Sequence, residues 1–89
     1  MKIDLEYINE FAEGAVILTD LDDAIVGITE EFGNGPRILY SKSKIIDILS
    51  KRDGMTEEEA DEFYGYNILG MYAGEQNPIF LVWNWEHII

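Results

Sequence analysis

The sequence predicts a small α+β domain: an antiparallel β-sheet of about three strands packed against two helices. Three observations carry this. Two runs rich in β-branched residues flank a segment containing Asn34-Gly35, the pattern of a hairpin. Two later stretches place apolar residues at helical spacing behind serine or threonine caps. A third apolar run follows Pro78 and supplies another strand. At 89 residues, the chain is expected to form one domain, residues 1–89.

Residues 4–13 set Leu5, Ile8 and Phe11 at helical spacing with Tyr7 beside them, and Gly14 can close a short helix. Ile3, Leu5 and Tyr7 also alternate as in a strand, so both forms stay open at this point. Ala15-Val16-Ile17-Leu18 reads as a buried strand ending at Thr19-Asp20. Residues 24–29 favour extended structure through Ile25, Val26, Ile28 and Thr29. Residues 32–36 read as a turn and residues 37–40 as the returning strand. The competing form is a helix over residues 21–32, capped by Asp20 and ended by Gly33; the hairpin is preferred.

Ser41 or Ser43 caps the next helix, which buries Ile45, Ile48 and Leu49, with Ile46 widening the face. Lys51 and Arg52 suit the dipole of its last turn, and Gly54 ends it. Thr56 and Glu59 form a capping box. Ala60, Phe63, Tyr64, Asn67, Ile68 and Met71 then recur at helical spacing, which predicts a helix over residues 57–72. Asn67 falls on that apolar face and is expected to bond to nearby backbone. Residues 74–78 form a turn, residues 79–83 a strand paired with residues 37–40, and residues 84–89 an unusually apolar tail.

Composition narrows the function. The chain is 47% hydrophobic and 12% aromatic, too apolar for a disordered polypeptide despite a net charge of -12. It has no cysteine, which removes disulfides, thiol catalysis and thiolate-bound metal. No apolar run approaches the ~18 residues of a membrane-spanning helix. Residues 1–6 turn acidic at once, unlike a secretory signal, so the expected compartment is the cytoplasm. Charge is segregated: residues 1–31 carry -8, residues 32–52 carry +4, and residues 53–89 carry -8 with no base at all. Such a chain repels nucleic acid and anionic membranes, whose affinity comes from phosphate neutralisation. It attracts basic surfaces. The basic stretch from Arg37 to Arg52 is expected to neutralise acids within the fold.

Three constellations are candidates for chemistry. The run from Ala15 to Asp22 is similar to the first motif of haloacid-dehalogenase-type phosphatases, an apolar strand ending in Asp-x-Asp. Those enzymes need a larger α/β sheet, a catalytic lysine and a further acidic pair, and 89 residues cannot supply that scaffold. Read as a calcium loop, the same segment has Ala24 at the fifth position and Ile25 where glycine is required, so only weak divalent-ion binding by Asp20, Asp22 and Asp23 is left. The second constellation is Glu57, Glu58, Asp61 and Glu62. Glu58 with Glu62, and Glu57 with Asp61, stack one turn apart opposite the Ala60-Phe63-Tyr64 face. Acids in a first helical turn satisfy the dipole, but Asp61 and Glu62 repel their neighbours, so a phosphate-like docking row is the sharper reading. The third is aromatic: eleven rings exceed what so small a core hides, and Tyr66, Tyr72 and Trp85 are the expected interface residues. His87 is the only histidine, so catalytic triads and zinc hydrolysis have no cast.

Residues 22–81 resemble a family of small acidic proteins of bacteriophage and bacterial genomes. The resemblance rests on Asp22-Asp23-Ala24-Ile25-Val26-Gly27, Phe32-Gly33, Tyr40, Arg52-Asp53-Gly54-Met55, Glu58-Glu59-Ala60, Asn67-Ile68-Leu69-Gly70, Gly74-Glu75 and Pro78-Ile79-Phe80. It does not extend to Val82-Trp83-Asn84-Trp85. It implies a setting, a phage or mobile-element accessory protein inside a bacterium, and carries over no catalytic residue.

The expected function is therefore binding, with no enzymatic activity and no cofactor: docking on the basic, nucleic-acid-binding surface of a host protein to modulate or inhibit it. The binding residues expected are Glu57, Glu58, Asp61, Glu62, Tyr66, Tyr72, Asp20, Asp22, Asp23 and Trp85. The alternative is a homo-oligomeric assembly protein that buries residues 82–89. A magnesium enzyme built on Asp20, Asp22 and Asp23 ranks third.

Overall fold

The computed structural model describes residues 5–71 and 74–83. Helix α1 (Leu5–Phe11) leads through a loop and a 3₁₀ turn at Asp22–Ala24 into a hairpin of β1 (Ile25–Glu31) and β2 (Asn34–Ser41). Helix α2 (Lys42–Asp53), helix α3 (Glu57–Phe63), a π-helical segment at Tyr64–Leu69 and strand β3 (Ile79–Leu81) follow. The result is the expected α+β fold with a three-stranded sheet, ordered β1-β2-β3.

The hairpin forms where the β-branched runs place it, and the helix considered for residues 21–32 shrinks to the 3₁₀ turn. Ile28 stands opposite Ile38, and Phe32-Gly33 is the two-residue loop. Proline cannot donate to a ladder, so in a central strand it belongs at a bulge. Pro36 sits beside one, where the register slips between Thr29 and Glu31.

The sheet departs from the all-antiparallel expectation at β3. It pairs with residues 37–40 as predicted, but parallel: Leu39 opposes Ile79 and Tyr40 opposes Phe80. The reason is the connection. Parallel neighbours need a crossover of at least about a dozen residues, and α2 and α3 make it here. The strand also stops at Leu81, two residues short of the expected Trp83.

Ala15-Val16-Ile17-Leu18 is not a strand. Its backbone finds partners outside any ladder, which backbone accounting requires. The Val16 N–H donates to the Gln76 carbonyl at 3.2 Å, and the Leu18 N–H donates to the Tyr40 hydroxyl at 2.8 Å. Tyr40 is fully buried, and burial pushes its phenol above the usual value, against the Leu18 hydrogen bond that lowers it; the charge of Asp22 raises it further. Gln76 clasps the same region: its Nε2 donates to the carbonyls of Pro36 at 2.9 Å and Glu13 at 3.2 Å. A Cβ on Gly35 would fall 2.7 Å from that Nε2, so the clasp closes only over a glycine.

Ser41 ends β2 and caps α2, its hydroxyl accepting from the Lys44 N–H at 3.3 Å. Gly54 stops the helix in the left-handed region at φ 71°, a conformation costly for any residue with a Cβ. In α3 both halves of the capping box are made: the Thr56 hydroxyl accepts from the Glu59 N–H at 3.1 Å, and the Glu59 carboxylate accepts from the Thr56 N–H at 2.9 Å.

The long helix expected over residues 57–72 is corrected: regular α geometry ends at Phe63, and Tyr72 lies outside the described residues. Beyond Phe63 the backbone continues in π geometry, and the Gly70 N–H donates five residues back, to the Gly65 carbonyl at 3.2 Å. Ala60, Tyr64 and Ile68 keep a buried row spaced by four across the change. Phe63, expected on the core face, is displaced and 38% exposed. Asn67 is also exposed, though its amide bonds to backbone as expected, donating to the Phe63 carbonyl at 3.2 Å. Phe80 ties the sheet to this segment, meeting the Tyr64 ring edge-to-face at 5.5 Å.

Candidate functional site

Helices α2 and α3 line an open groove of about 840 Å³. Its apolar part is Ile46 on α2 and Val82 just beyond β3. Its walls carry Asp47 from α2 and Glu57, Glu58 and Asp61 from α3. The capping box starts α3 at Thr56 and so orients the first turn that presents Glu57 and Glu58. Glu59, in the middle of the acidic run, is spent inside the cap; its hydrogen bonds to Thr56 hold its carboxyl below the usual value.

Among the described residues the one cation lining the groove is Lys42, and it is engaged. Its Nζ lies 3.1 Å from Asp61 Oδ1 and 5.1 Å from the centre of the Tyr64 ring, an ammonium held between a carboxylate and an aromatic face. Burial pushes the Tyr64 phenol up, and the charge of Asp61 adds to this. Asp47 pairs with Lys51 at 3.1 Å on the same helix. Both pairs are solvent-exposed and individually weak. Glu57, Glu58 and Glu62 form no ion pair among the described residues.

The basic stretch neutralises acids within the fold, as expected: Arg37 meets Glu31 at 3.6 Å, and Arg52 meets Asp53 at 3.0 Å. On α3, Glu57, Glu58 and Glu62 stay outside these pairs. Of the predicted ridge, Glu57, Glu58 and Asp61 come together at the groove, with Asp61 already paired, while Glu62 is exposed outside its lining. Tyr66 is 86% exposed on the π-helical segment.

Asp20, Asp22 and Asp23 do not join this site. They sit around the 3₁₀ turn packed near the end of α2, where Arg52 donates to the Asp20 carbonyl at 2.6 Å. Asp20 takes a positive φ of 62°, tolerable for aspartate. Among the described residues no three carboxylate or imidazole side chains converge on a metal position. Trp85, Tyr72 and His87 lie outside the described residues. No helix among the described residues is long and apolar enough to cross a membrane.

Sequence reasoning missed Ile46, Asp47 and Val82 as groove residues. Asp47 had a signal, as the single acid within the basic stretch. Ile46 and Val82 had none, because only packing turns them to the groove. The exposed pair Tyr7 and Phe11, with ring centres 4.4 Å apart, was also missed; Ile8 on α1 and Ala12 just past its end are buried instead. Phe32 is fully exposed at the hairpin loop. No protein-family model, curated protein or solved structure matches the chain.

Proposed function

We propose that the chain is a small acidic binding protein, without enzymatic activity, that docks on a basic, nucleic-acid-binding surface of a host protein and modulates or inhibits it. One observation carries the reading: among the described residues the α2–α3 groove sets four carboxylates beside the apolar Ile46 and Val82, and Glu57 and Glu58 remain outside the ion pairs that engage Asp47 and Asp61. An apolar centre with charged walls suits a cationic partner, because charge steers encounter and burial holds the complex. The net charge of -12 extends that attraction beyond the groove. A bacterial cytoplasm as the setting follows from the phage-type resemblance and belongs to the proposal.

The test is a tagged pull-down from bacterial lysate, washed at low and then high salt, with the eluate identified by mass spectrometry. The native chain should retain a basic nucleic-acid-binding protein that salt releases. Glu57→Lys/Glu58→Lys should lose it while its circular dichroism stays native; Glu57→Gln/Glu58→Gln serves if the reversal disturbs the fold. Equal capture by folded variants overturns the reading.

Self-assembly is a second reading favoured by a specific observation: Val82 and Trp83 are 69% and 56% exposed where β3 ends. It requires a sedimentation mass that rises with concentration. A monomer at high concentration removes it.

A further inference from the structure

The helical segment that lines the groove has a second face, turned away from the core. Ala60, Tyr64 and Ile68 form the buried row. Glu58, Glu62 and Tyr66 repeat the same spacing two residues earlier, about 200° round the helix, and all three are exposed. Phe63 and Leu69 flank this row and are exposed too. A face bearing three large apolar or aromatic groups is unusual beside so many carboxylates, and two of the three, Tyr66 and Leu69, sit on the π-helical turn, a geometry concentrated at functional sites.

The fold itself displays what such a face holds. On the neighbouring face, Lys42 lies between the Asp61 carboxylate and the Tyr64 ring. Glu62 and Tyr66 also set a carboxylate and a ring about one helical turn apart, four residues rather than three, and no cation of the described chain pairs with either. We propose that the outward face formed by Glu58, Glu62 and Tyr66 receives arginine side chains of a protein partner. The guanidinium pairs with the glutamates and lies flat on the Tyr66 ring, while Phe63 and Leu69 meet its methylene stem. Arginine fits better than lysine because its planar, weakly hydrated cation forks onto carboxylates and stacks on aromatic faces together. This rests on the acidic-docking reading and narrows its partner to an arginine-presenting segment, the usual equipment of nucleic-acid-binding surfaces.

The experiment compares synthetic nona-arginine with nona-lysine, peptides of equal charge, binding to the full chain at low salt by calorimetry. The native chain should favour nona-arginine, because the planar guanidinium forks onto carboxylates and stacks on the ring together. Tyr66→Ala should remove a ring contact worth about two- to fivefold in nona-arginine affinity, lose less for nona-lysine and so bring the two peptides together, and Tyr66→Phe should keep the preference. Tyr66 is largely exposed, so both variants should fold. Equal affinity for the two peptides, or a preference that survives Tyr66→Ala, overturns the inference and leaves the docking reading intact. Failure of the native chain to bind either peptide overturns both.

Discussion

Helices α2 and α3 run side by side and are built differently. Helix α2 extends for twelve residues with regular geometry between Ser41 and Gly54, and its core contacts, Ile45 and Leu49 with Ile46 and Ile48 beside them, form the broad stripe of an ordinary amphipathic helix. Helix α3 keeps regular geometry for seven residues and then widens. Both bury a row spaced by four, Ile45 and Leu49 on α2, and Ala60, Tyr64 and Ile68 along α3 and the segment after it. The difference lies beside that row. On α2 the partly buried Ile46 and Ile48 widen the apolar stripe, whereas Phe63, Tyr66 and Leu69 stand exposed on the second segment. The comparison teaches that one buried spacing serves both geometries, so the spacing of core residues does not by itself set the type of helix.

Core truncations should break this contrast most strongly. Tyr64→Ala removes a 3%-exposed ring packed against Phe80 and should cost about 3–5 kcal/mol, as for other buried aromatics. Ile45→Ala, on the regular helix, should cost about 2–5 kcal/mol, and both are read by urea denaturation. Two residues beyond Tyr64, Tyr66→Ala should stay within about 0.5 kcal/mol, since its ring meets water. A large loss there would mean the outward face is part of the core.

Removing caps sharpens the comparison at a smaller scale. Ser41→Ala and Thr56→Ala should each cost about 1 kcal/mol in the same assay. Their dependence on pH should differ. The α2 cap is a hydroxyl, whereas the α3 cap includes the Glu59 carboxylate. The Thr56 backbone N–H and then its hydroxyl hold the Glu59 carboxyl below its ordinary value. A group lowered on folding contributes above its unfolded value and loses that contribution as pH falls through the lowered one. Denaturation followed from neutral to acid should therefore show a decline that Glu59→Gln reduces and Ser41→Ala leaves unchanged. This is the smallest effect expected, because the carboxylate is exposed.

Much of the fold was legible along the chain. The hairpin followed from β-branched runs around Phe32-Gly33-Asn34-Gly35-Pro36, and the helix starts followed from Ser41, Thr56 and Glu59. These are short-range signals, made by residues within a turn of one another. The acidic wall of the groove was legible for the same reason, since Glu57, Glu58 and Asp61 are local to one helix. The Ala15-Val16-Ile17-Leu18 segment misled because an apolar run states only that it is buried. Its hydrogen bonds go to Tyr40 and Gln76, residues 22 and 60 positions away in the pairs Leu18–Tyr40 and Val16–Gln76.

By itself, then, the sequence determined the α+β class, the caps, the hairpin and the segregation of charge, all properties of neighbouring residues. Tertiary structure decided the rest. It set β3 parallel to β2, because the α2–α3 crossover brings the chain back in the same direction. It widened the helix after Phe63, where the Gly70 N–H reaches back to the Gly65 carbonyl and no local residue pattern announces the change. It separated Asp20, Asp22 and Asp23 from the α3 acids and brought Ile46 and Val82 to one groove, because side chains distant in sequence come together only when the chain between them folds.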